Sequence, residues 1–295
     1  DIIYVATGDG YAYEASWQAD NDFWGGVYSA GILKSTDGGF TWNPTGLSYM
    51  QDQLSVVQRI IIHPENTNVL IAATREGIYR TDNGGDTWTL ESSAHCYDFA
   101  FNTANPDIIY AVGDRDVLKS DNAGVTWTVI QNDLAEYDDR MSIETTVADP
   151  DMIYVFAVSV EIFISDNAGV SFTNGASPDG VNDYYGYYDN VLEVSDVNAN
   201  LLFTGGLDIA RSTNGANTWQ KKSSWDAWPA SNYVHADQKV ILCDPLDELI
   251  VYAGNDGGIF KSTDKGQTWT DLSEGLRIAQ PYRISSSFTD PEIVL

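Results

Sequence analysis

The residues of this chain that are best suited to chemistry are aromatic side chains outside its repeated segments. Four of the nine tryptophans belong to no repeat, and tyrosines gather in similar stretches. Rings among Asp and Asn are typical of carbohydrate sites, because sugar C–H faces stack on rings while hydroxyls bond to carboxylates. The same composition suits a protein contact, or the packing of long loops onto a scaffold. The predicted ligand-binding residues are Trp17, Trp24, Tyr184, Tyr185, Trp225, Trp228, Tyr233 and His235.

Carboxylates in these stretches are candidate catalytic groups. A glycosidase needs two carboxyls roughly 5–9.5 Å apart, and the candidates are Asp9, Asp237 and Asp256. His235 and Asp237 form a pair that suits acid–base work, metal binding or a polar plug near the axis of the fold. Since the chain has 43 acidic residues, two neighbouring carboxylates are weak evidence of catalysis.

Asp20 and Asp22 are the candidate metal ligands. Their oxygen atoms suit Ca²⁺ in a long loop that needs ordering, although their spacing lacks the EF-hand pattern. A structural calcium ion is the one cofactor that the sequence suggests. Cys96 and Cys243 are expected to stay unpaired, and the three histidines predict no zinc triad.

The charge of the chain excludes several classes of partner. Lys+Arg number 15 against 43 Asp+Glu, so the net charge is −28. Nucleic acids and anionic membrane surfaces are bound through Lys and Arg, and neither is an expected partner. No apolar run reaches about 18 residues, so no membrane insertion is predicted.

The elements that must position these residues are indicated by an octet that recurs six times. It reads Ser-Thr-Asp-Gly-Gly-Phe-Thr-Trp in its first copy, and its copies span 35–42, 81–88, 120–127, 165–172, 212–219 and 262–269. Each period holds four short β-rich runs, which is the pattern of a propeller blade. We therefore predict an all-β fold, a β-propeller of four-stranded antiparallel blades, with six repeats visible and seven or more in the full protein.

The octet predicts a tight turn between the third and fourth strands of a blade. Its third side chain can bond backbone N–H groups of its own turn, a glycine at the fifth position supplies a positive φ, and the closing aromatic residue packs between blades. The fifth copy departs, with Ala216 where glycine is expected. The predicted structural residues at the third position are Asp37, Asn83, Asn122, Asn167, Asn214 and Asp264.

The octet resembles the Asp-box, or BNR repeat, of sialidases, sortilin-type receptors and xyloglucan-cleaving two-propeller glycoside hydrolases. Residues 234–238 and 252–276 further resemble the sortilin-like BNR proteins of Bacteroidetes that use type IX secretion. In the xyloglucan-cleaving enzymes a phrase similar to 255–260 carries a catalytic acid, but here Asn255 takes the acid's place and Asp256 follows it. Sialidase activity is disfavoured, because sialidases need an arginine cluster and this chain has eight arginines in all.

Residues 1–295 are expected to form a single β-propeller or most of one. Residues 1–4 repeat a phrase that enters a second strand at 107–110 and 151–154, whereas 283–288 is typical of a first strand and 290–294 enters a second strand again. We expect the chain to start at strand two of one blade and to end at strand two of a further blade. It would then continue into further domains of a longer protein.

These observations favour a secreted or cell-surface binding or scaffold propeller without chemistry of its own. Loops that join second to third and fourth to first strands share one face, and the predicted ligand-binding residues fall in them. That face would hold a glycan or a protein partner. The alternatives are a glycoside hydrolase acting on a β-glucan-like polysaccharide and a structural repeat element of a large surface adhesin.

Overall fold

The computed structural model describes residues 1–8, 29–50, 53, 55–113, 115–132, 134, 140–157, 161–178 and 190–276. These residues form 23 β-strands in six antiparallel sheets, with no α-helix among them. No helix long and apolar enough to cross a membrane occurs in this part of the chain. The predicted all-β propeller of four-stranded antiparallel blades is confirmed.

The strands of the first three sheets are β1 (Ile3–Ala6), β2 (Gly31–Ser35) and β3 (Asn43–Ser48); β4 (Val57–Ile62), β5 (Leu70–Thr74), β6 (Gly77–Thr81) and β7 (Thr89–Ser92); and β8 (Asp98–Phe101), β9 (Ile109–Gly113), β10 (Asp116–Ser120) and β11 (Thr128–Gln131). Those of the last three sheets are β12 (Met141–Thr146), β13 (Asp149–Ala157), β14 (Glu161–Ser165) and β15 (Thr173–Asn174); β16 (Val191–Val194), β17 (Leu202–Gly205), β18 (Ile209–Ser212) and β19 (Gln220–Lys221); and β20 (Gln238–Cys243), β21 (Val251–Asn255), β22 (Gly258–Ser262) and β23 (Thr270–Asp271).

Each sheet is one blade, and its strands lie in chain order. The blades also follow one another in space, because the first strands β4, β8, β12, β16 and β20 contact one another in that order. The first sheet has three described strands, and β1 takes the second place because β2 runs directly into the octet. The strand predicted at 283–288 lies outside the described residues, so the predicted boundaries of the propeller stay a prediction.

Apolar contacts between blades form the core. The second strands β5 and β9 are buried at every position, because blades cover both of their faces. Ile71 of the second blade packs in one cluster with Phe99 and Leu118 of the third. Burial of such a side chain contributes about 1.5–3 kcal/mol, so side-by-side packing holds the blades together.

The octet forms the predicted turn. In the third copy, Ser120 Oγ accepts the N–H of Gly124 at 2.9 Å, and Asn122 Oδ1 accepts the N–H of Thr126 at 2.9 Å. Equivalent bonds recur in all six copies. The fifth-position φ is positive as predicted, +83° at Gly124. The sequence analysis missed that the fourth position is left-handed too, with φ +54° at Ala123.

The fourth-position carbonyls of the octets link neighbouring blades. In most of the junctions between described blades, a side chain of one blade donates a hydrogen bond to the fourth-position carbonyl of the next octet. The bonds run from Tyr4 and Lys34 to Gly84 (2.9 and 2.8 Å), from Arg80 to Ala123 (2.9 Å), from Tyr110 to Ala168 (3.2 Å) and from Arg211 to Lys265 (2.7 Å). At the junction of the fourth and fifth blades, Tyr154 donates instead to the carbonyl of Ala199 at 2.9 Å.

The closing aromatic residues lie between blades, as expected, in five of the six octets. Trp88, Trp127, Phe172, Trp219 and Trp269 each pack against the apolar cluster that their blade shares with the preceding one. Trp42 is 38% exposed, because no described blade precedes the first. Each closing aromatic residue lies directly before the fourth strand of its blade.

Candidate functional site

The candidate site lies at the end of the blades opposite the octet turns. Because successive strands run in opposite directions, the connections from second to third and from fourth to first strands meet at this end. In the fifth and sixth blades these connections are residues 206–208, 222–237 and 256–257. We call the surface that they form the loop face.

Two tryptophans dominate the loop face. Trp225 is 50% exposed and Trp228 is 69% exposed. Exposed apolar patches on a folded protein usually mark an interaction site. The ring of Tyr233 contacts Trp228 edge-on with centroids 5.0 Å apart, and it contacts the buried Phe260 at 5.9 Å. The exposed indole is therefore connected to the core by a row of aromatic rings, which holds it in place.

The loop that carries both tryptophans is anchored by Asp208, a residue that sequence reasoning missed. This buried carboxylate accepts the N–H of Trp225 at 2.9 Å and the hydroxyl of Ser223 at 3.1 Å, and it forms an ion pair with Lys221 at 2.6 Å. A cation and two hydrogen bonds satisfy the buried charge. The available signal was an Asp in a short connection that directly precedes the buried strand β18.

His235 belongs to a polar network beside these tryptophans. Its carbonyl accepts the amide of the buried Gln238 at 2.6 Å, and Gln238 accepts a hydrogen bond from Asn255 at 3.2 Å. The side chain of Asn255 in turn accepts the N–H of Gly257 at 3.0 Å. A Cβ on Gly257 would lie 2.3 Å from the His235 ring. Only glycine lets the imidazole approach this closely.

Two of the predicted catalytic carboxylates lie on the loop face. Asp256 lies next to Gly257 and forms an ion pair with Lys239 at 3.7 Å. Asp237 is half-buried and has a φ of +64°, a left-handed conformation that Asp tolerates better than most residues. Because Gly257 contacts His235, the structure brings Asp256 to the segment that carries His235 and Asp237. Carboxylates and an imidazole beside exposed rings are groups that general acid–base catalysis uses.

Several predicted site residues lie outside the described residues, and their roles stay predictions: Asp9, Trp17, Asp20, Asp22, Trp24, Tyr184 and Tyr185. Within the described part of the chain, no group of three His, Cys, Asp or Glu residues is placed to hold a metal ion. Cys96 and Cys243 are not joined by a disulfide in the described part of the chain.

The carboxyls with raised pKa among the described residues are elsewhere, on the first strands. Burial raises the pKa of Glu193 to about 7 and that of Asp98 above its usual value. Burial, together with the neighbouring Glu193 and Asp98, raises the pKa of Glu144 well above the value of a free glutamate. Sequence reasoning missed these three residues, which we call the inner carboxyls, because they come from three different blades.

Comparison with known proteins finds relatives among polysaccharide-cleaving enzymes. A xyloglucanase of Paenibacillus sp. is 24% identical over 301 residues, which span 93% of this chain and 25% of the relative. A solved structure of an ancestral GH74 enzyme superposes with a TM-score of 0.61 at 19% identity, over 83% of this chain and 36% of that one. No protein-family model matches the chain.

Two further solved structures show the same fold. The Xanthomonas campestris GH74 xyloglucanase matches with a TM-score of 0.58 at 14% identity, over 90% of this chain and 44% of that one. The Niastella koreensis GH74 enzyme matches with a TM-score of 0.57 at 22% identity, over 80% and 41%. This chain thus spans about a quarter of its curated relative and less than half of each of these solved chains.

These findings correct the function expected from the sequence. A binding or scaffold propeller without chemistry is the wrong expectation, because the relatives are named as a xyloglucanase and as GH74 enzymes. They favour the alternative of a glycoside hydrolase. The octet's likeness to the Asp-box, and the likeness to sortilin-like proteins, stay predictions. The chain is similar in sequence to a xyloglucanase and in fold to GH74 propellers.

Proposed function

We propose that this chain is part of a glycoside hydrolase that acts on a β-glucan-like polysaccharide such as xyloglucan, and that the loop face binds the polymer. The observation that carries the proposal is the pair of exposed indoles, Trp225 and Trp228, on an anchored loop beside carboxylates. The similarity of 93% of the chain to a protein named xyloglucanase supports it.

The loop face suits a neutral sugar polymer on physical grounds. The indole faces offer flat apolar surfaces on which the C–H faces of sugar rings can stack. Anchoring by Asp208 and Tyr233 lowers the entropy that the loop loses on binding. The net charge of −28 disfavours acidic polysaccharides, because like charges repel.

Candidate catalytic roles fall to the carboxylates Asp9, Asp237 and Asp256, of which one would protonate the leaving oxygen and another would act as base or nucleophile. Such a reaction needs no metal or organic cofactor. A polysaccharide of this kind is an extracellular polymer. The proposal therefore implies a secreted or cell-surface protein.

The experiment measures retardation of the protein in gels that contain xyloglucan, mixed-linkage β-glucan or polygalacturonate, together with release of reducing ends. We expect retardation by the neutral glucans and about a tenfold loss of affinity in the Trp225→Ala/Trp228→Ala variant, equivalent to ~1.4 kcal/mol. Asp256→Asn and Asp237→Asn should lower hydrolysis more than binding, because they keep the stacking surface.

Matched controls come from the opposite face. Phe40 is 90% exposed in the first octet turn, so Phe40→Ala removes an exposed ring without touching the loop face. Asp86→Asn removes an exposed carboxylate of the second octet. Equal retardation of the double tryptophan variant and the wild type would contradict the proposed surface. Undiminished hydrolysis in both loop-face Asn variants would reject the proposed carboxylates.

A further inference from the structure

The inner carboxyls lie close together because three neighbouring first strands present them. Glu144 pairs with Tyr154 and Glu193 with Phe203, and both partners stand opposite the residue that precedes an octet. Glu144 and Glu193 therefore occupy the same level of adjacent blades. Asp98, on the other side of Glu144, pairs with Val112 and lies nearer the loop face.

Cations balance this group only in part. Arg59 on β4 forms an ion pair with Asp98 at 3.2 Å, and Arg140 acts on the same carboxyl from the segment before β12. Asp196, two residues after the end of β16, adds another negative group near Glu144 and Glu193. Among the described residues, the carboxyl group of Glu144 has no hydrogen-bond or ion-pair partner.

The carboxyls also join the blades. Asp98 accepts the N–H of Ile143 from the fourth blade at 3.3 Å, and its side chain is 16% exposed. Glu193 accepts the N–H of Cys243 from the sixth blade at 2.7 Å. Burial and the neighbouring Glu193 raise the pKa of the Cys243 thiol, so it stays neutral. Extra negative charge here would act directly on contacts between blades.

We propose that Glu144 and Glu193, beside the ion pair of Asp98 with Arg59, form a proton-holding brace at the inner edge of the third, fourth and fifth blades, and that the brace weakens when its protons leave on the way to alkaline pH. Protonated carboxyls pack side by side without repulsion, whereas three carboxylates in a half-buried space repel one another. The contacts between these blades are then most stable in mildly acidic solution.

The pH window follows from the direction of the shifts. A carboxyl whose pKa is raised in the folded state contributes stability below its unfolded pKa, and this stability is lost as pH rises through the folded pKa. For Glu193 the loss runs from about 4.5 to about 7, and for Glu144 it extends higher. Asp37, with a pKa of about 2, and Tyr49, with a pKa of about 12, act outside this window.

The test is the melting temperature of the 295-residue chain between about pH 5 and about pH 8. In the wild type we expect a fall of about 5 °C, because folding raises the pKa of Glu193 from 4.5 to about 7 and a chain of this length loses about 2 °C for each 1 kcal/mol. Glu144→Gln/Glu193→Gln keeps the shapes and the acceptor for Cys243 but cannot ionise. Its melting temperature should match that of the wild type at the acidic end of this range and exceed it at the alkaline end.

Glu65→Gln is the matched control, because Glu65 is exposed at the far end of the second blade and the change alters the net charge in the same sense. An equal gain at alkaline pH in this variant would assign the effect to overall charge and overturn the proposal. The proposal also fails if the double variant falls with pH as steeply as the wild type, or is destabilised equally at both ends of the range. Should the double variant not fold, Glu144→Gln alone gives the same readout.

Discussion

The buried Ser or Thr hydroxyl that opens each octet offers the sharpest test of how the turns hold the blades. Ser120 is buried, its hydroxyl accepts the N–H of Gly124 at 2.9 Å, and it donates to Asn122 Oδ1 at 3.0 Å. The N–H of Gly124 lies in the interior between blades. In Ser120→Ala this donor loses its partner, and the closed turn leaves water little access to it.

The magnitude follows from the cost of one unsatisfied buried donor, about 1–3 kcal/mol. The hydroxyl's bond to Asn122 matters less, because Asn122 keeps its bond to the N–H of Thr126. For a chain of this length each 1 kcal/mol lowers the melting temperature by about 2 °C. We therefore expect Ser120→Ala to melt about 2–6 °C below the wild type in scanning calorimetry.

The chain supplies its own control for this change. Thr81 opens the second octet, accepts the N–H of Gly85 at 3.1 Å and donates to Asn83 at 2.8 Å. Ser120→Thr should therefore keep the bonds and cost less than Ser120→Ala. If the two variants have the same melting temperature, or if Ser120→Ala has the melting temperature of the wild type, the hydroxyl does not hold the turn and the reasoning is refuted.

Three further predictions concern single contacts. Tyr110→Phe removes the hydrogen bond to the carbonyl of Ala168 but keeps the ring, so we expect a loss of about 1 kcal/mol in urea unfolding, and no loss would exclude the bond as a blade link. Asp208→Asn removes the charge that pairs with Lys221 and anchors the tryptophan loop; iodide should then quench tryptophan fluorescence more strongly while the far-ultraviolet spectrum stays unchanged, and unchanged quenching would contradict the anchoring role. The hydrogen bonds from Thr41 lower the pKa of Asp37 to about 2, so its contribution is present above about pH 4 and lost as pH falls towards about 2. Asp37→Asn, which copies the amide of other octets, should shift the acid-unfolding midpoint to lower pH, and an unchanged midpoint would show that Asp37 has no part in acid unfolding.

The octet was predictable because its chemistry is local. A side chain at the third position and a glycine at the fifth close a turn within eight residues, whatever the rest of the chain does. The left-handed fourth position was missed because only three copies have glycine there, whereas Ala123, Ala168 and Lys265 occupy it in the others, and neither alanine nor lysine signals a positive φ. Their conformations are held by the hydrogen bonds that the N–H groups of the following residues donate to the opening serine.

The candidate site was predictable only in part. The non-repeating tryptophans drew attention to Trp225 and Trp228, and the structure exposes both. The buried anchor Asp208 carried no comparable signal, since its partners lie 13 to 17 residues further along the chain. The expected absence of chemistry was wrong because many acidic residues made carboxylate pairs uninformative, whereas the relatives are named as enzymes.

The sequence by itself determined the structure of each blade. The turn residues of the octet and the short apolar runs recur in the same order in every repeat, and they need only local contacts to form. The tertiary structure decided which charges meet. Asp98, Glu144 and Glu193 are 46 and 49 residues apart in the chain, and they become neighbours because each lies on the first strand of successive blades. No local pattern encodes that meeting, since it arises from the packing of blade against blade, which also removes the water that would otherwise separate the charges.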